Sequence, residues 1–186
     1  RHGDRRQVFA IEQALRPDAV AAIARLREAG VRTEILSGDR GDAVVRAAAA
    51  LGVTAAQGNL KPGDKIAYLE KLTAEGRKVL MVGDGLNDAP SLAAAHVSLS
   101  PVSAVHLAQA AADGVFLGDN LMPVYDAVRT ARLARKVMGQ NLWLAVIYNL
   151  FAVPLAIAGY VTPLVAALAM SGSSIIVTLN ALTARR

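Results

Sequence analysis

The chain has 186 residues, of which 54% are apolar and 19% charged, and its formal net charge is +5. This apolar content excludes an intrinsically disordered chain, because it can bury enough surface to offset the entropy lost on ordering. The lack of cysteine excludes disulfides and thiolate metal ligands within this stretch. Basic residues are dispersed and aromatic residues make up only 4%, which argues against nucleic-acid binding.

Apolar and charged residues are unevenly distributed along the chain. Before about residue 137 the apolar runs are short and interrupted by charges, whereas no Lys, Arg, Asp or Glu occurs between Gly139 and Arg185. A start at Arg1 without Met or an apolar targeting region is typical of an internal segment of a longer chain. The change in composition predicts a soluble domain in residues 1–126, a basic cytoplasmic connecting helix in residues 127–138, and membrane helices in residues 139–159 and 161–182.

Within the first segment, strand patterns alternate with helix patterns. Pro17 and Pro62 favour helix starts, and glycine residues after the helices favour helix ends. The predicted strands are Val8–Leu15, Val31–Leu36 and Val79–Val82, with short ones near Val97 and Val115; the predicted helices run from Arg16 to Gly30, after Asp39 to Leu51, from Pro62 to Gly76 and from about Asn87. This order predicts an α/β fold, with a parallel sheet flanked by helices on both faces.

Two polar turns that contain glycine follow predicted strands: Ser37-Gly38-Asp39 and Gly83-Asp84-Gly85. Since the carboxyl ends of parallel strands share one sheet edge, where ligands bind, the two turns form a candidate active site. The carboxylates of Asp84 and Asp88 can approach one Mg²⁺, a hard cation that prefers oxygen ligands. A surface turn with solvated acids is the alternative for a bare Gly-Asp-Gly.

The apolar stretches Asn141–Ala158 and Val161–Leu182 are each close to the roughly 20 residues that cross a bilayer. The break at Gly159–Pro163 predicts a hairpin. Basic residues flank it on both sides: Arg129, Arg132, Arg135 and Lys136 before it, and Arg185 and Arg186 after it. Because such residues mark the cytoplasmic side, residues 1–138 and the C-terminus are predicted to be cytoplasmic parts of a multi-pass protein of the cell or inner membrane. A pair of buried helices in a large soluble protein is the alternative.

The octet Gly83-Asp84-Gly85-Leu86-Asn87-Asp88-Ala89-Pro90 resembles the Gly-Asp-Gly-x-Asn-Asp-x-Pro signature of the P-type ATPase phosphorylation domain. Haloacid-dehalogenase-like phosphatases carry looser versions. Three further stretches resemble elements of the family in order and spacing: Leu15-Arg16-Pro17-Asp18-Ala19, Ser37-Gly38-Asp39 and Lys61-Pro62-Gly63-Asp64-Lys65. The resemblance covers almost the whole chain and implies a haloacid-dehalogenase-like parallel sheet followed by an α-helical transmembrane hairpin.

This resemblance implies the following catalytic residues: Ser37, Gly38, Asp39, Lys65, Asn87 and Asp88. Ser37 would bond a phosphoryl oxygen and Lys65 would place a fixed positive charge on the same group, which suits phosphoryl transfer. Asp84 and Asp88 would hold Mg²⁺, and ATP would be the substrate of the parent protein. For Lys65 alone, a solvated helix lysine would be the better interpretation.

Two patterns in the membrane half resemble those of copper-type pumps. Tyr148-Asn149 with Pro154 resembles Tyr-Asn-x4-Pro, and Met170–Ser174 resembles Met-x-x-Ser-Ser. The resemblance implies that Tyr148, Asn149, Met170 and Ser174 line the path of a soft ion, Cu(I), since a thioether is a soft ligand. The alternatives are a gap-filling Met and small residues that only pack helices closely.

The family's phosphorylated aspartate, in its Asp-Lys-Thr-Gly-Thr motif, does not occur between Arg1 and Arg186, and a nucleotide-binding domain is missing as well. We therefore expect the chain alone to be inactive and to need the rest of the parent chain. Ser37 replaces the usual Thr but keeps the hydroxyl. Three smaller departures affect fine tuning: Arg40 stands where the family often has Asn, Gln13 stands where it often has Asp, and His96 stands near a common Asp.

Three rival functions remain open on the sequence. A membrane-anchored haloacid-dehalogenase-like phosphatase predicts a nucleophilic Asp in the same domain. A pump for zinc, cadmium or cobalt is the second; for zinc and cadmium a charged residue is expected in the last span, and Val161–Leu182 has none. A non-enzymatic membrane interaction module is the third, and it predicts that substitutions of Asp84 are silent.

Overall fold

The computed structural model describes residues 14–183 and divides the chain into two units, Arg1–Tyr125 and Asp126–Arg186. Most of the predicted first strand, residues 8–13, lies outside the described residues, and Ala14 and Leu15 belong to no strand. The helices of the first unit are α1 (Ala19–Glu28), α2 (Gly41–Leu51), α3 (Pro62–Ala74), α4 (Ala89–Ala94) and α5 (His106–Ala111). Its strands are β1 (Glu34–Leu36), β2 (Ala55–Gln57), β3 (Leu80–Val82), β4 (Val97–Pro101) and β5 (Gly114–Phe116), with a 3-10 turn at Leu86–Asp88.

All strand pairs in the described part of the first unit are parallel. β1 pairs with β2 in one sheet, and β3, β4 and β5 form a second sheet in that order. Parallel strands alternating with helices confirm the predicted α/β class. The described strands form two sheets, because no pairing joins β1 to β3 within residues 14–183.

Small and branched apolar side chains from the helices of the first unit form its core. Leu26 of α1, Val44 of α2, Leu69 of α3 and Leu92 of α4 are each less than a tenth exposed. Full burial of one such side chain stabilises a fold by about 1.5–3 kcal/mol, so these helices hold the strands in place mainly through packing.

The start of α1 differs from the sequence prediction. Pro17 lies outside the helix, and Asp18 is the N-cap residue without a side-chain bond to its own helix. The Asp18 carboxylate instead accepts hydrogen bonds from the backbone N–H groups of Leu121 (2.9 Å) and Met122 (2.7 Å), just where the next long helix begins. Asp18 thus caps a helix that lies a hundred residues further along the chain.

The described part of the second unit consists of helices. Helix α6 (Met122–Ile157) begins just before the boundary between the units and runs without interruption through the predicted connecting helix and the first predicted span. Pro154 falls near its end, where the lost backbone hydrogen bond disturbs few residues. Helix α7 (Pro163–Leu182) has 20 residues, which gives a length of about 30 Å, the thickness of a bilayer core.

The described residues contain two helices that are long and apolar enough to cross a membrane, α6 and α7. Their large apolar side chains are mostly uncovered; Trp143 is 68% exposed and Leu168 65%. Surfaces of this size and apolarity are unfavourable in water and favourable in lipid. The pair therefore has the features of a membrane hairpin.

We predict that Asp18→Ala loosens the start of α6. Partial burial raises the pKa of Asp18, but the two backbone donors outweigh that effect, and its pKa lies below the ordinary 3.8. The variant should lower the free energy of opening at the amides of Leu121 and Met122 by about 1 kcal/mol, which makes their hydrogen exchange roughly fivefold faster. Because the folded-state pKa is lowered, the difference from the wild type is complete above pH 3.8 and is lost as the pH falls through that lower value. Glu70→Ala, at an exposed site on α3, is the control; equal protection in both variants would contradict the capping role.

Candidate active site

A cleft of about 420 Å³ opens at the carboxyl ends of β1 and β3. Its lining includes all seven residues of the first unit that the sequence predicts for phosphate and magnesium chemistry: Ser37, Gly38, Asp39, Lys65, Asp84, Asn87 and Asp88. Leu36, Leu60, Pro62, Gly85 and Leu86 complete it. The structure thus brings together side chains that are up to 51 residues apart in sequence, since Ser37 and Asp88 line the same cleft.

The turn after β1 is held in shape by its own side chains. The Ser37 hydroxyl accepts from the Asp39 backbone N–H (3.1 Å) and donates to the Asp39 carboxylate (3.0 Å). The carbonyl of Asp39 accepts from Asn59 N–H (2.6 Å), and Ser37 carbonyl accepts from Leu60 N–H (3.0 Å). The hydroxyl therefore has a fixed position at the strand end, where it can meet an anionic ligand.

Close backbone approach supports this turn from behind. A Cβ on Gly58 would lie 2.7 Å from the Cα of Gly41 and 3.0 Å from the carbonyl oxygen of Asp39. Only glycine fits there, because both neighbours are backbone atoms that cannot rotate away. Asn59, the next residue, has a positive φ of 58°. The sequence patterns did not single out either position, and no local signal distinguished them from ordinary turn residues.

Lys65 and Asp88 form a nearly buried ion pair on the floor of the cleft. Lys65 Nζ donates to Asp88 Oδ1 at 2.6 Å, and the two side chains are 8% and 18% exposed. Asp88 Oδ2 also accepts from the Gly85 backbone N–H at 3.3 Å. Lys65 is thus no solvated helix lysine, because its charge is compensated inside the protein.

The glycines of the octet allow Asp88 to lie against the end of β3. A Cβ on Gly83 would come within 2.9 Å of the Asp88 Cβ, and one on Gly85 would come within 3.1 Å of Asp88 Oδ2. Ala89 and Leu92 at the start of α4 are buried, so the helix holds the octet from below. The spacing of the octet therefore reflects packing around one carboxylate.

Asp84 projects into the open part of the cleft, with 60% of its side chain exposed. Its Oδ2 accepts from Nη2 of Arg16 at 3.1 Å. Arg16 was noted in the sequence only as part of a stretch that resembles the family, and it was not predicted as a site residue. The contact spans 68 residues, so only the fold reveals it.

The donor set suits a hard divalent cation. Two carboxylates, of Asp84 and Asp88, line one cleft, and a cationic group already lies against Asp84. Within residues 14–183 no cluster of three or more His, Cys, Asp or Glu side chains occurs. One or two carboxylates with water and phosphate oxygens is the ligand pattern that Mg²⁺ prefers.

The residues predicted for the ion path lie in the membrane hairpin, Tyr148 and Asn149 on α6, Met170 and Ser174 on α7. Asn180 Nδ2 donates to Asn141 Oδ1 at 2.8 Å and lies 3.4 Å from Gln140 Oε1, which joins the two helices. The four residues lie six to ten positions from the Asn141–Asn180 hydrogen bond along their helices, and therefore at a similar depth in the hairpin. Met170 is 72% exposed, so α6 does not cover its thioether.

The first unit defines the class of protein. Residues 2–96 match the haloacid dehalogenase-like hydrolase family, which is slightly more than half of the chain. Together with the parallel strands and the cleft at their carboxyl ends, this match shows that the chain belongs to that family.

Relatives that match nearly the whole chain include metal-transporting P-type ATPases. The chain is 58% identical over 183 residues to the nitrogen fixation protein FixI of Bradyrhizobium diazoefficiens, covering 98% of this chain and 25% of the relative. It is 34% identical over 180 residues to a copper-exporting P-type ATPase of Bacillus subtilis, covering 97% and 22%. The crystal structure of a zinc-transporting PIB-type ATPase in the E2.Pi state superposes with a TM-score of 0.88 at 31% identity, covering 94% of this chain and 29% of that one.

These matches confirm the resemblance read from the octet and the hairpin. The chain spans about a quarter of the length of the curated relatives it matches. It combines a haloacid-dehalogenase-like domain segment with two helices long and apolar enough to cross a membrane, and it is similar over almost its whole length to one part of a zinc-transporting PIB-type ATPase.

We predict that Lys65→Met destabilises the cleft, because it leaves the Asp88 carboxylate nearly buried without its cation. The free energy of local opening, measured by hydrogen exchange of the amides in β3 and α4, should fall by about 2–4 kcal/mol. Lys71→Met, at an exposed site on the same helix, is the matched control and should change it little. Equal effects of the two substitutions would show that the ion pair contributes nothing beyond a surface charge.

A second substitution tests the backbone contact behind Ser37. Gly58→Ala forces a methyl group against Gly41 and should lower the opening free energy of the Ser37–Asp39 turn by about 1–3 kcal/mol. Gly63→Ala is the control, because a Cβ at Gly63 meets no atom within 4 Å. Hydrogen exchange of the Asp39 and Asn59 amides measures both, and an unchanged turn in Gly58→Ala would contradict the close approach.

Proposed function

We infer that the parent protein is an ATP-driven pump that exports Cu(I) across a membrane through an aspartyl-phosphate cycle. The observation that carries the phosphoryl chemistry is the cleft in which the Ser37 hydroxyl, the Lys65–Asp88 pair and the Asp84 carboxylate converge. This chain supplies part of that machinery, and the rest of the parent chain supplies the phosphorylated aspartate and the nucleotide site.

Each polar group of the cleft has a role in handling a phosphoryl group. Ser37 is held at the cleft by its turn, and its hydroxyl would donate to a phosphoryl oxygen by turning away from the Asp39 carboxylate, to which it donates in this structure. Lys65 would provide a positive charge in the same cleft. Asp84 and Asp88 would hold Mg²⁺, which neutralises charge on the transferring group when it is bound. Asn87, on the exposed rim, adds an amide that can orient water or phosphate. Such a site works by positioning and charge compensation, which is what phosphoryl transfer requires.

The unpaired edges of β1 and β3 indicate where the phosphorylated aspartate of the parent chain would lie. β1 and β3 each pair on one side only within the described part of the chain, and both end at the cleft. One parallel strand from elsewhere in the parent chain could pair with both edges and complete the sheet. Its last residue would then enter the cleft beside Ser37 and Asp84, where a phosphorylated aspartate is needed.

The choice of Cu(I) rests on the membrane helices. Met170 and Ser174 lie four residues apart and therefore on one face of α7, and the Met170 thioether is uncovered. No Asp, Glu, Lys or Arg occurs in α7, whereas a divalent ion such as Zn²⁺ would favour a charged ligand there. Tyr148 and Asn149 lie at a similar depth on α6 and would complete the path with helices of the parent chain.

A zinc pump is the second candidate, and the similarity to the zinc-transporting PIB-type structure favours it. The copper-exporting relative is similar to nearly the same extent, so overall similarity does not decide the ion. In either case the basic residues before the hairpin, from Arg129 to Lys136, support a cytoplasmic location of the first unit.

Metal-dependent ATP hydrolysis by the parent protein in membranes tests this function. We expect stimulation by Cu(I) and Ag(I), and its loss by at least tenfold in Met170→Ala, because a soft ligand is removed from the path. Asp84→Asn should lose activity with every metal. Met138→Ala is the matched control, since Met138 lies on α6 and is 70% exposed, close to the 72% of Met170. Stimulation by Zn²⁺, Cd²⁺ or Co²⁺ alone, or full activity in Met170→Ala, would reject copper and leave the P-type assignment in place.

A further inference from the structure

The guanidinium of Arg16 connects the candidate metal carboxylate to a second loop of the first unit. Its Nη2 lies 3.1 Å from Asp84 Oδ2, and its Nη1 donates to the carbonyl of Asp119 at 2.6 Å. Asp84 belongs to the turn after β3, and Asp119 to the loop after β5. One side chain therefore bridges two strand ends of the same sheet.

The position of Arg16 is determined by the backbone around it. Its carbonyl accepts from the Ala19 N–H at 3.0 Å, and Asp18, two residues later, is tied to the amides of Leu121 and Met122. The Arg16 side chain is only 27% exposed. A guanidinium held in this way is directed at Asp84 without a large loss of side-chain entropy.

We propose that Arg16 is a built-in counter-cation of Asp84 that competes with Mg²⁺ for its carboxylate. This inference rests on the proposed function, in which Asp84 is a magnesium ligand. Oδ2 of Asp84 offers its lone pairs to the guanidinium, and a metal ion that uses the same oxygen must displace or share that contact. The guanidinium is a cation with several N–H donors, so it and the metal compete for the same carboxylate oxygen.

The two cationic side chains of the site differ in burial, and this difference decides which ion pair a divalent cation can replace. Lys65 pairs with Asp88 at 2.6 Å in a nearly buried environment, whereas Arg16 pairs with Asp84 at 3.1 Å with 60% of the carboxylate exposed. An exposed pair contributes little stability and breaks easily, while a buried pair is costly to break. Arg16 is therefore the contact that yields when a divalent cation enters, and Lys65 is the one that persists.

Arg16 acts through Asp84 and is a positioning residue. It keeps the carboxylate oriented and neutralised between cycles, and it weakens metal binding so that the ion can leave. A purely structural tether between the two loops makes a different prediction: its removal would loosen the loops and weaken metal binding or leave it unchanged. The sign of the change in metal affinity separates the two roles.

The test uses Mn²⁺ alone as the probe, with the full-length parent protein in detergent and no nucleotide. Free Mn²⁺ is followed by electron paramagnetic resonance, and the binding component that Asp84→Asn abolishes is taken as the site. Arg16→Gln should tighten that component about three- to tenfold, because a positive charge close to the metal is removed. Arg16→Lys, which keeps the charge, should stay within about twofold of the wild type. Arg25→Gln removes an arginine that pairs with Glu28 on the exposed face of α1, and it should have no effect.

Each outcome bears on the proposal. A gain in affinity with Arg16→Gln that shrinks at high salt supports competition. Unchanged or weaker Mn²⁺ binding in Arg16→Gln, or an equal gain in Arg16→Lys, overturns the competition. The proposed function still stands in that case if Asp84→Asn loses Mn²⁺ binding. Unaltered Mn²⁺ binding in Asp84→Asn rejects Asp84 as a ligand, and with it both the magnesium assignment and the role of Arg16. A cooperative thermal unfolding transition in the absence of metal, recorded for every variant, verifies that each one is folded.

Discussion

The candidate site depends on the ion pair between Lys65 and Asp88. It joins α3, which follows the first sheet, to the turn that follows β3 in the second sheet. Both charges are largely removed from water, so each can remain there only because the other compensates it. The tight packing of Gly83 and Gly85 around Asp88 serves the same arrangement. With this pair in place, the cleft has a rigid floor on which the exposed groups, Ser37 and Asp84, can exchange ligands.

Much of the site could be predicted from sequence because its residues belong to turns that follow strands. Recognising the strands before Ser37 and Gly83 led to the prediction that the two turns meet, and both turns line one cleft although β1 and β3 belong to different sheets in the described residues. The octet was specific because the two glycines and Asp88 pack against one another, and that packing tolerates few substitutions. The hairpin was predictable for a simpler reason, since a bilayer imposes length and polarity on any helix that crosses it.

The features that sequence did not reveal depend on distant partners. β2 (Ala55–Gln57) has no strand pattern of its own and forms because it pairs with β1. The contact of Arg16 with Asp84 spans 68 residues, and that of Asp18 with Leu121 spans 103. Local patterns register propensity and periodicity, and they carry no information about which surface charge meets which loop. The division into two sheets escaped prediction because pairing between strands is a property of the assembled fold.

The unpaired edges of β1 and β3 have a practical consequence for the chain in isolation. Within residues 14–183, each presents a row of backbone donors and acceptors without a neighbouring strand. Such edges are templates on which other strands can add, although the three-residue length of β3, Leu80–Val82, limits how many pairs an added strand can form. As far as the described residues show, these edges are therefore open to aggregation by strand addition. Supplying the missing strand as a peptide would compete with that aggregation, which makes solubility a direct measure of whether the gap has been filled.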